Sequence, residues 1–198
     1  MGNSEIVDFF NRLASSWDAE MIKDDEIIGM IMDHAEVHEG TEVLDVATGT
    51  GVLIPYYTER GVKHVTAIDI AEKMTDIASD KYGDMVDEGR LDIICDDVLE
   101  HKFMGRYDVI MVYNAFPHFS DYERLLCTLA GLLKKGGRFS IAHGMSRDDI
   151  EQHHTRCPKN VAFGLPKADE LADMMGRYLK VTCVISDERM YQVVGVNA

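Results

Sequence analysis

The chain has 198 residues, 46% of them hydrophobic, and its 35 acidic and 20 basic side chains give a formal net charge of −15. This length is typical of a single soluble domain over residues 1–198, and the charge repels phosphate backbones and so disfavours a nucleic-acid substrate. Four widely spaced cysteines, no apolar run near the roughly 20 residues of a membrane span and no secretory leader pattern together predict a cytoplasmic protein without disulfides.

The spacing of the apolar residues predicts two helices followed by alternating strands and helices. The first 40 residues contain the two helices, over 4–17 and 22–36. Short β-branched runs then alternate with helical segments, which is typical of βα units around a parallel sheet. The predicted strands are 42–47, 64–69, 91–95, 107–113, 138–143, 178–186 and 190–196. The predicted helices of this region are 52–60, 71–86, 121–134, 146–157 and 167–175.

Local patterns indicate where several of these elements begin and end. Gly136-Gly137 is typical of a helix that ends in a left-handed residue, here the 121–134 helix. The residues from Ser146 to Asp149 resemble a capping box and predict a helix start. A polar turn at residues 187–189 separates the last two strands, so the sheet should have seven strands and close on a hairpin. A dehydrogenase with two Rossmann halves normally lacks that hairpin.

A glycine-rich turn follows the first predicted strand, in the sequence Val43-Leu-Asp-Val-Ala-Thr-Gly-Thr-Gly51. Gly49 and Gly51 let the backbone approach a ligand where a Cβ would collide, and Asp45 places a carboxylate beside the turn. A plain strand-to-helix turn could use the same glycines. The dinucleotide fingerprint needs another glycine at position 54, where this chain has Ile54, so the pattern argues against NAD.

Asp69 stands at the end of the second predicted strand, 18 residues after Gly51. A carboxylate at this strand tip is where a ribose diol can be held by two hydrogen bonds. The alternative role is a helix cap in front of Ala71.

These motifs together resemble those of the class I S-adenosylmethionine-dependent methyltransferases, above all the ubiquinone/menaquinone biosynthesis C-methyltransferases and related small-molecule enzymes. The resemblance covers roughly residues 6–143. It rests on four segments. They are Asp45-Val-Ala-Thr-Gly-Thr-Gly51, Cys95-Asp-Asp-Val98, residues 107–121, which contain the fourth predicted strand and the segment after it, and Leu132-Leu-Lys-Lys-Gly-Gly-Arg-Phe139. It implies a Rossmann-like doubly wound sheet of order 3-2-1-4-5-7-6 with strand 7 antiparallel, helices on both faces, a helical lid over residues 1–40 and a core over residues 41–198.

The resemblance also implies a site for S-adenosylmethionine, with S-adenosylhomocysteine as product. Asp69 would hold the ribose hydroxyls, Asp97 (or Asp96, one residue earlier) would accept from the adenine amino group, and Asn114 would lie beneath the sulfonium. The residues implied to contact the cofactor are Trp17, Asp45, Ala47, Thr48, Gly49, Gly51, Asp69, Ile70, Met74, Asp96, Asp97, Val98, Asn114 and Ala115.

Histidines follow the fourth and fifth predicted strands. His118 and His143 stand at strand ends that face the ligand side of such sheets, where either could act as a base or hydrogen-bond partner for the methyl acceptor. Alternatively, His143 could join His153 or His154, and Cys157, around a metal ion. A third interpretation is that these histidines are solvated or cap helices without a catalytic role.

Two functions remain open from the sequence. The chain is either an active methyltransferase or a cofactor-binding or metal-responsive module with little methyl transfer. Residues 144–176 differ from the quinone methyltransferases, so the predicted acceptor is a small, partly apolar molecule, with no nucleic-acid or membrane partner.

Overall fold

The computed structural model describes residues 3–155, 157–158 and 160–198, and it contains one seven-stranded sheet. The strands are β1 (Glu42–Val46), β2 (His64–Asp69), β3 (Leu91–Cys95), β4 (Tyr107–Tyr113), β5 (Leu133–His143), β6 (Lys180–Ser186) and β7 (Tyr191–Val196). Their order is β3-β2-β1-β4-β5-β7-β6, and β7 runs antiparallel to both of its neighbours. The predicted strand order and closing hairpin are therefore confirmed.

Helices cover both faces of this sheet. Those in the described residues are α1 (Ser4–Glu20), α2 (Asp25–His34), α3 (Ile54–Glu59), α4 (Glu72–Asp87), α5 (Tyr122–Gly131), α6 (Arg147–His154) and α7 (Ala168–Met175), and a short 3-10 helix spans Phe116–His118. Ser146 accepts a hydrogen bond from the backbone N–H of Asp149, as the capping pattern predicted. In the described ranges, no helix combines the length and the apolar character that a bilayer-spanning helix requires.

The central strand β4 shows how the two faces are covered. Val109 and Met111 pack in one apolar cluster with α2 and α3, whereas Ile110 and Val112 pack in a second cluster with α5 and α7. Successive side chains of a strand point to opposite faces, so a strand that is covered on both sides must be apolar throughout. This is why the parallel strands appear in the sequence as continuous hydrophobic runs.

The largest difference from the predicted bounds lies at the start of β5. The helix expected over 121–134 ends at Gly131, and the strand expected to start at Arg138 begins at Leu133. Gly136 has a φ of 78° inside the strand, and a Cβ on Gly137 would lie 2.9 Å from the carbonyl oxygen of Lys134. The glycine pair therefore forms an irregularity of β5 against β4, because a left-handed glycine suits a strand bulge as well as a helix end.

Candidate functional site

A cavity lies at the carboxyl ends of β1 to β4 and beneath α1. Most of the site residues expected from the sequence line it, although they come from separate segments of the chain. They are Trp17, Ala47, Thr48, Gly49, Asp69, Ile70, Met74, Asp96, Asp97, Val98, Asn114, Ala115 and His118. Asp45, Gly51 and His143 do not line it.

The two glycines of the turn after β1 have different surroundings. Gly49 and Gly51 both have positive φ values, 57° and 83°. A Cβ on Gly49 would have its nearest neighbour in Trp17, at 3.9 Å, so the backbone is open towards the cavity. A Cβ on Gly51 would collide with the side chains of Tyr82 and Ile54, at 2.6 and 2.7 Å. Gly51 is therefore needed for packing behind the turn, and the expected contact with the cofactor does not follow from its position.

Asp69 connects the turn after β1 to the start of α4. One carboxylate oxygen accepts from the backbone N–H of Gly49 at 2.8 Å, and the other accepts from that of Ala71 at 2.9 Å. Burial raises the pKa of Asp69, although both hydrogen bonds act in the opposite direction. A carboxylate can accept about four hydrogen bonds, so this side chain still has acceptor capacity towards the cavity.

Asp45 lies behind the same turn and is 2% exposed. It accepts a hydrogen bond from the Thr48 hydroxyl at 2.7 Å. Burial raises the pKa of Asp45 to about 7 despite that hydrogen bond, and the charge of Asp69 adds to the increase. The resemblance implies that Asp45 either orients the loop or meets the amino group of the cofactor, and the contacts of Asp45 favour orientation of the loop.

Two acidic residues follow β3. Asp96 accepts from Nδ1 of His101 at 2.8 Å, and this contact lowers the pKa of Asp96. Asp97 accepts from the backbone N–H of Leu99 at 2.9 Å through one oxygen and from the side-chain amide of Asn3 at 2.7 Å through the other. Asp97 thus already holds an NH2 group at the rim of the cavity.

The segment after β4 presents Asn114 and His118 to the cavity. Asn114 has a φ of 53°, and its side-chain oxygen accepts from the backbone N–H of Gly144 at 3.0 Å, which joins the ends of β4 and β5. Nδ1 of His118 lies 2.7 Å from the carbonyl oxygen of Val161. Burial lowers the pKa of His118 to about 4.

His143 lies outside the cavity wall, contrary to the expectation that it would face the ligand. The side chains of Phe139, Ile141 and His143 alternate onto the same face of β5, and that face is covered by the apolar cluster. His143 is 2% exposed, its ring centroid is 6.0 Å from that of Tyr191, and burial lowers its pKa to about 3.

The metal interpretation gains no support from the geometry. His153 is exposed, and its Nδ1 lies 2.8 Å from the carbonyl oxygen of Asp149. Within residues 3–155, 157–158 and 160–198, no three His, Cys, Asp or Glu side chains come together in an arrangement that would hold a metal ion.

Helix α1 supplies cavity residues that the motifs did not reveal. Ile6 and Phe10 line the cavity together with Trp17, and two further lining residues, Asn3 and Met21, stand just before and just after the helix. The signal was present in the sequence, because positions 6, 10, 17 and 21 repeat at helical spacing on one face. The spacing alone does not distinguish a face that covers a ligand cavity from one that packs on the main core; the lid over residues 1–40 with Trp17 at the cofactor was implied only by the resemblance.

Polar contacts fix α1 across the cavity. Asp18 accepts from the Thr50 hydroxyl at 2.5 Å and from Nζ of Lys81 at 2.9 Å. Asn11 accepts from the backbone N–H of Lys73 at 2.9 Å. The helix is thereby attached both to the turn after β1 and to α4.

Comparison with known proteins links this site to one family. Residues 43–137 match the family model described as a methyltransferase domain. Malonyl-[acyl-carrier protein] O-methyltransferase of Acetivibrio thermocellus is 28% identical over 131 residues, which is 65% of this chain and 45% of that protein. Ubiquinone biosynthesis O-methyltransferase of Idiomarina loihiensis is 30% identical over 139 residues, 65% of this chain and 56% of that protein. The chain therefore spans about half the length of these relatives.

Solved structures share the fold over nearly the whole chain. The Haloferax volcanii protein in complex with the Trm112 methyltransferase activator has a TM-score of 0.79 at 18% identity, covering 97% of both chains. The N-methyltransferase NodS of Bradyrhizobium japonicum, solved with S-adenosyl-L-homocysteine, has a TM-score of 0.75 at 12% identity, covering 98% of both chains. Residues 43–137 of this chain thus match a methyltransferase domain, and its sheet order and glycine turn are similar to those of the class I S-adenosylmethionine-dependent methyltransferases.

Proposed function

We propose that this chain transfers a methyl group from S-adenosylmethionine to a small-molecule acceptor and leaves S-adenosylhomocysteine. The supporting observation is the convergence of the glycine turn, Asp69 and Asp97 from three neighbouring strands on one cavity beneath α1. Residues 1–198 act as a single domain in this proposal, with residues 1–40 as the lid and 41–198 as the core.

The residues in the cavity fit the parts of the cofactor. Asp69 has acceptor capacity for a ribose diol, and Gly49 leaves room for a ligand beside the backbone. Ile70, Met74 and Val98 provide apolar walls suited to a flat base. Asp97 holds the amide NH2 of Asn3, and an adenine amino group would present the same kind of donor to it.

The chemistry requires little of the protein beyond alignment. Bound S-adenosylmethionine supplies a methyl group on a sulfonium, which is already an activated leaving group. The chain then has to orient the acceptor and exclude water. These two effects can lower the activation barrier to methyl transfer by a large part of its height. Phe10 and Trp17 of α1 close the cavity from above, and their ring centroids are 5.6 Å apart. We assign His118 to the side of the cavity that faces the methyl acceptor. His143 lies behind the cavity wall and has no contact with the acceptor in this proposal.

S-adenosylhomocysteine is expected to raise the melting temperature of the purified protein by about 5 to 10 °C at 100 times its Kd, because a ligand of the native state stabilises it by mass action. NAD is expected to cause no shift, since Ile54 replaces the glycine that its fingerprint needs. A shift with NAD and none with S-adenosylhomocysteine would contradict the proposed cofactor. A turnover assay over a panel of acceptors, with and without chelator, then separates methyl transfer from simple binding.

A second prediction concerns the lid, and the fluorescence of Trp17 can be used to test it. Trp17 is the single tryptophan and lines the cavity, so its fluorescence should change when S-adenosylhomocysteine binds. Asp18→Asn weakens the attachment of α1 to Thr50 and Lys81 and should weaken binding roughly 3- to 10-fold, mainly through faster dissociation. Asp8→Asn, at an exposed position of the same helix, is the matched control and should behave like the unchanged protein. Equal dissociation rates for all three proteins would show that α1 does not retain the ligand.

A further inference from the structure

Three histidines from different elements lie near one another, and one of them, His118, lines the cavity. The ring centroids of His118 and His154 are 5.2 Å apart, and positive charge on either would disfavour protonation of His143. Nε2 of His143 and Nδ1 of His154 are buried, and neither has a hydrogen-bond partner among the residues that the structure describes. Neither of these two side chains lines the cavity, so contact with an acceptor is left to His118.

The protonation state of His118 follows from its contact with the loop after α6. The carbonyl oxygen of Val161 can only accept, so the hydrogen of the neutral imidazole lies on Nδ1 and Nε2 keeps a free lone pair. Phe163 donates its N–H to the carbonyl oxygen of Pro117 at 2.7 Å, and the Tyr122 hydroxyl donates to that of Gly164 at 2.6 Å. The loop over residues 161–164 is therefore attached at three points and fixes the tautomer.

The surroundings keep these rings neutral and provide nothing to bind an anion. Burial lowers the pKa of His118 to about 4 and that of His143 to about 3, and it also lowers the pKa of His154. Among the described residues that line the cavity, none is Lys or Arg, whereas Asp69 and Asp97 are acidic. An acceptor group that carries a negative charge would find neither a cationic side chain nor a protonated imidazole among these residues.

We propose that His118 forms the acceptor subsite and that the subsite receives an uncharged hydroxyl or amine, whose O–H or N–H donates to Nε2 of His118. This inference rests on the proposed function and adds the class of acceptor to it. The hydrogen bond orients the oxygen or nitrogen of the acceptor. The carbonyl group of Val161 is a positioning group, because it acts only through His118.

The tautomer is tested by NMR on protein labelled with 15N-histidine, in complex with S-adenosylhomocysteine. The expected result is a neutral His118 with its hydrogen on Nδ1 at every pH from 6 to 8. A hydrogen on Nε2, or titration of His118 near pH 6.5, would overturn the proposal. Calorimetry with S-adenosylhomocysteine comes first, because a failure there contradicts the cofactor site and not the acceptor subsite.

The acceptor class is tested on the same complex with phenol and benzoate, two probes of similar size and different charge. Phenol should shift the Nε2 signal of His118, and benzoate should leave it in place. His118→Asn keeps an N–H donor for Val161 but lacks Nε2, so its affinity for phenol should fall roughly tenfold. His153→Asn, exposed on α6 beside His154, should retain the affinity of the unchanged protein. Equal responses to both probes, no response to either, or an undiminished affinity in His118→Asn would each refute the subsite.

Discussion

Asp69→Ala is expected to bind S-adenosylhomocysteine roughly 10- to 150-fold more weakly than the unchanged protein, as measured by calorimetry. The variant loses the acceptor proposed for the ribose hydroxyls. It also loses the hydrogen bond from Gly49 to the carboxylate, so the turn that borders the cavity is held less firmly. Both effects act on the bound state, and the strands that carry the turn do not depend on this side chain.

Asp92→Ala is the matched control for Asp69→Ala. Asp92 lies on β3, it is exposed, and its carboxylate is 3.4 Å from Nε2 of His64. The substitution removes the same charge from the neighbouring strand without touching the cavity, so affinity should not change. If Asp69→Ala also bound normally, Asp69 would serve only the turn and the start of α4.

The sheet could be predicted from the sequence because its determinants are local. Residues 109–112 within β4 are apolar at every position, which suits a strand covered on both faces, and the observed bounds of β4 coincide with the predicted strand over 107–113. The closing hairpin had an equally local signal, since Asp187 accepts from the backbone N–H groups of Arg189 and Met190. Gly136-Gly137 was ambiguous because its backbone conformation serves a helix end or a strand irregularity, and only the pairing with β4 decides between them.

Those residues of the candidate site that lie at the ends of strands could be predicted from the sequence. Asp69 is the last residue of one parallel strand, and Asp97 and Asn114 follow two others; the carboxyl ends of such strands meet at one edge of a sheet. The side chain of His143 points to one face of β5 because side chains alternate along a strand, and that face is covered by the apolar cluster that contains Phe139 and Ile141. No sequence motif indicates which face of β5 His143 occupies. The burial of Asp45 likewise results from tertiary packing and could not be predicted from the sequence, whereas a lid over residues 1–40 was already implied by the resemblance.

The buried carboxyl group of Asp45 should make the folded protein without ligand less stable as the pH rises from about 4 to 7. In the unfolded chain this group ionises near its ordinary pKa of 3.8, whereas in the folded protein burial raises the pKa to about 7. A raised pKa in the folded state contributes stability that is complete below 3.8 and is lost as the pH rises through 7. The difference of about 3 pH units corresponds to about 4 kcal/mol in the free energy of unfolding.

Asp45→Asn tests this directly, since the amide has nearly the same shape and still accepts from the Thr48 hydroxyl but cannot ionise. The variant should be more stable than the unchanged protein above pH 7, by up to about 4 kcal/mol, and the two should converge near pH 4. Denaturant unfolding at a series of pH values measures the difference.

Asp69 also has a raised pKa, so the stability of the Asp45→Asn variant should still fall with pH, with a smaller slope. Asp80→Asn, at an exposed position of α4, should reproduce the unchanged curve. A constant difference between Asp45→Asn and the unchanged protein across this range would mean that Asp45 is ionised in the folded protein at every pH tested, and that the turn after β1 carries a full negative charge behind it.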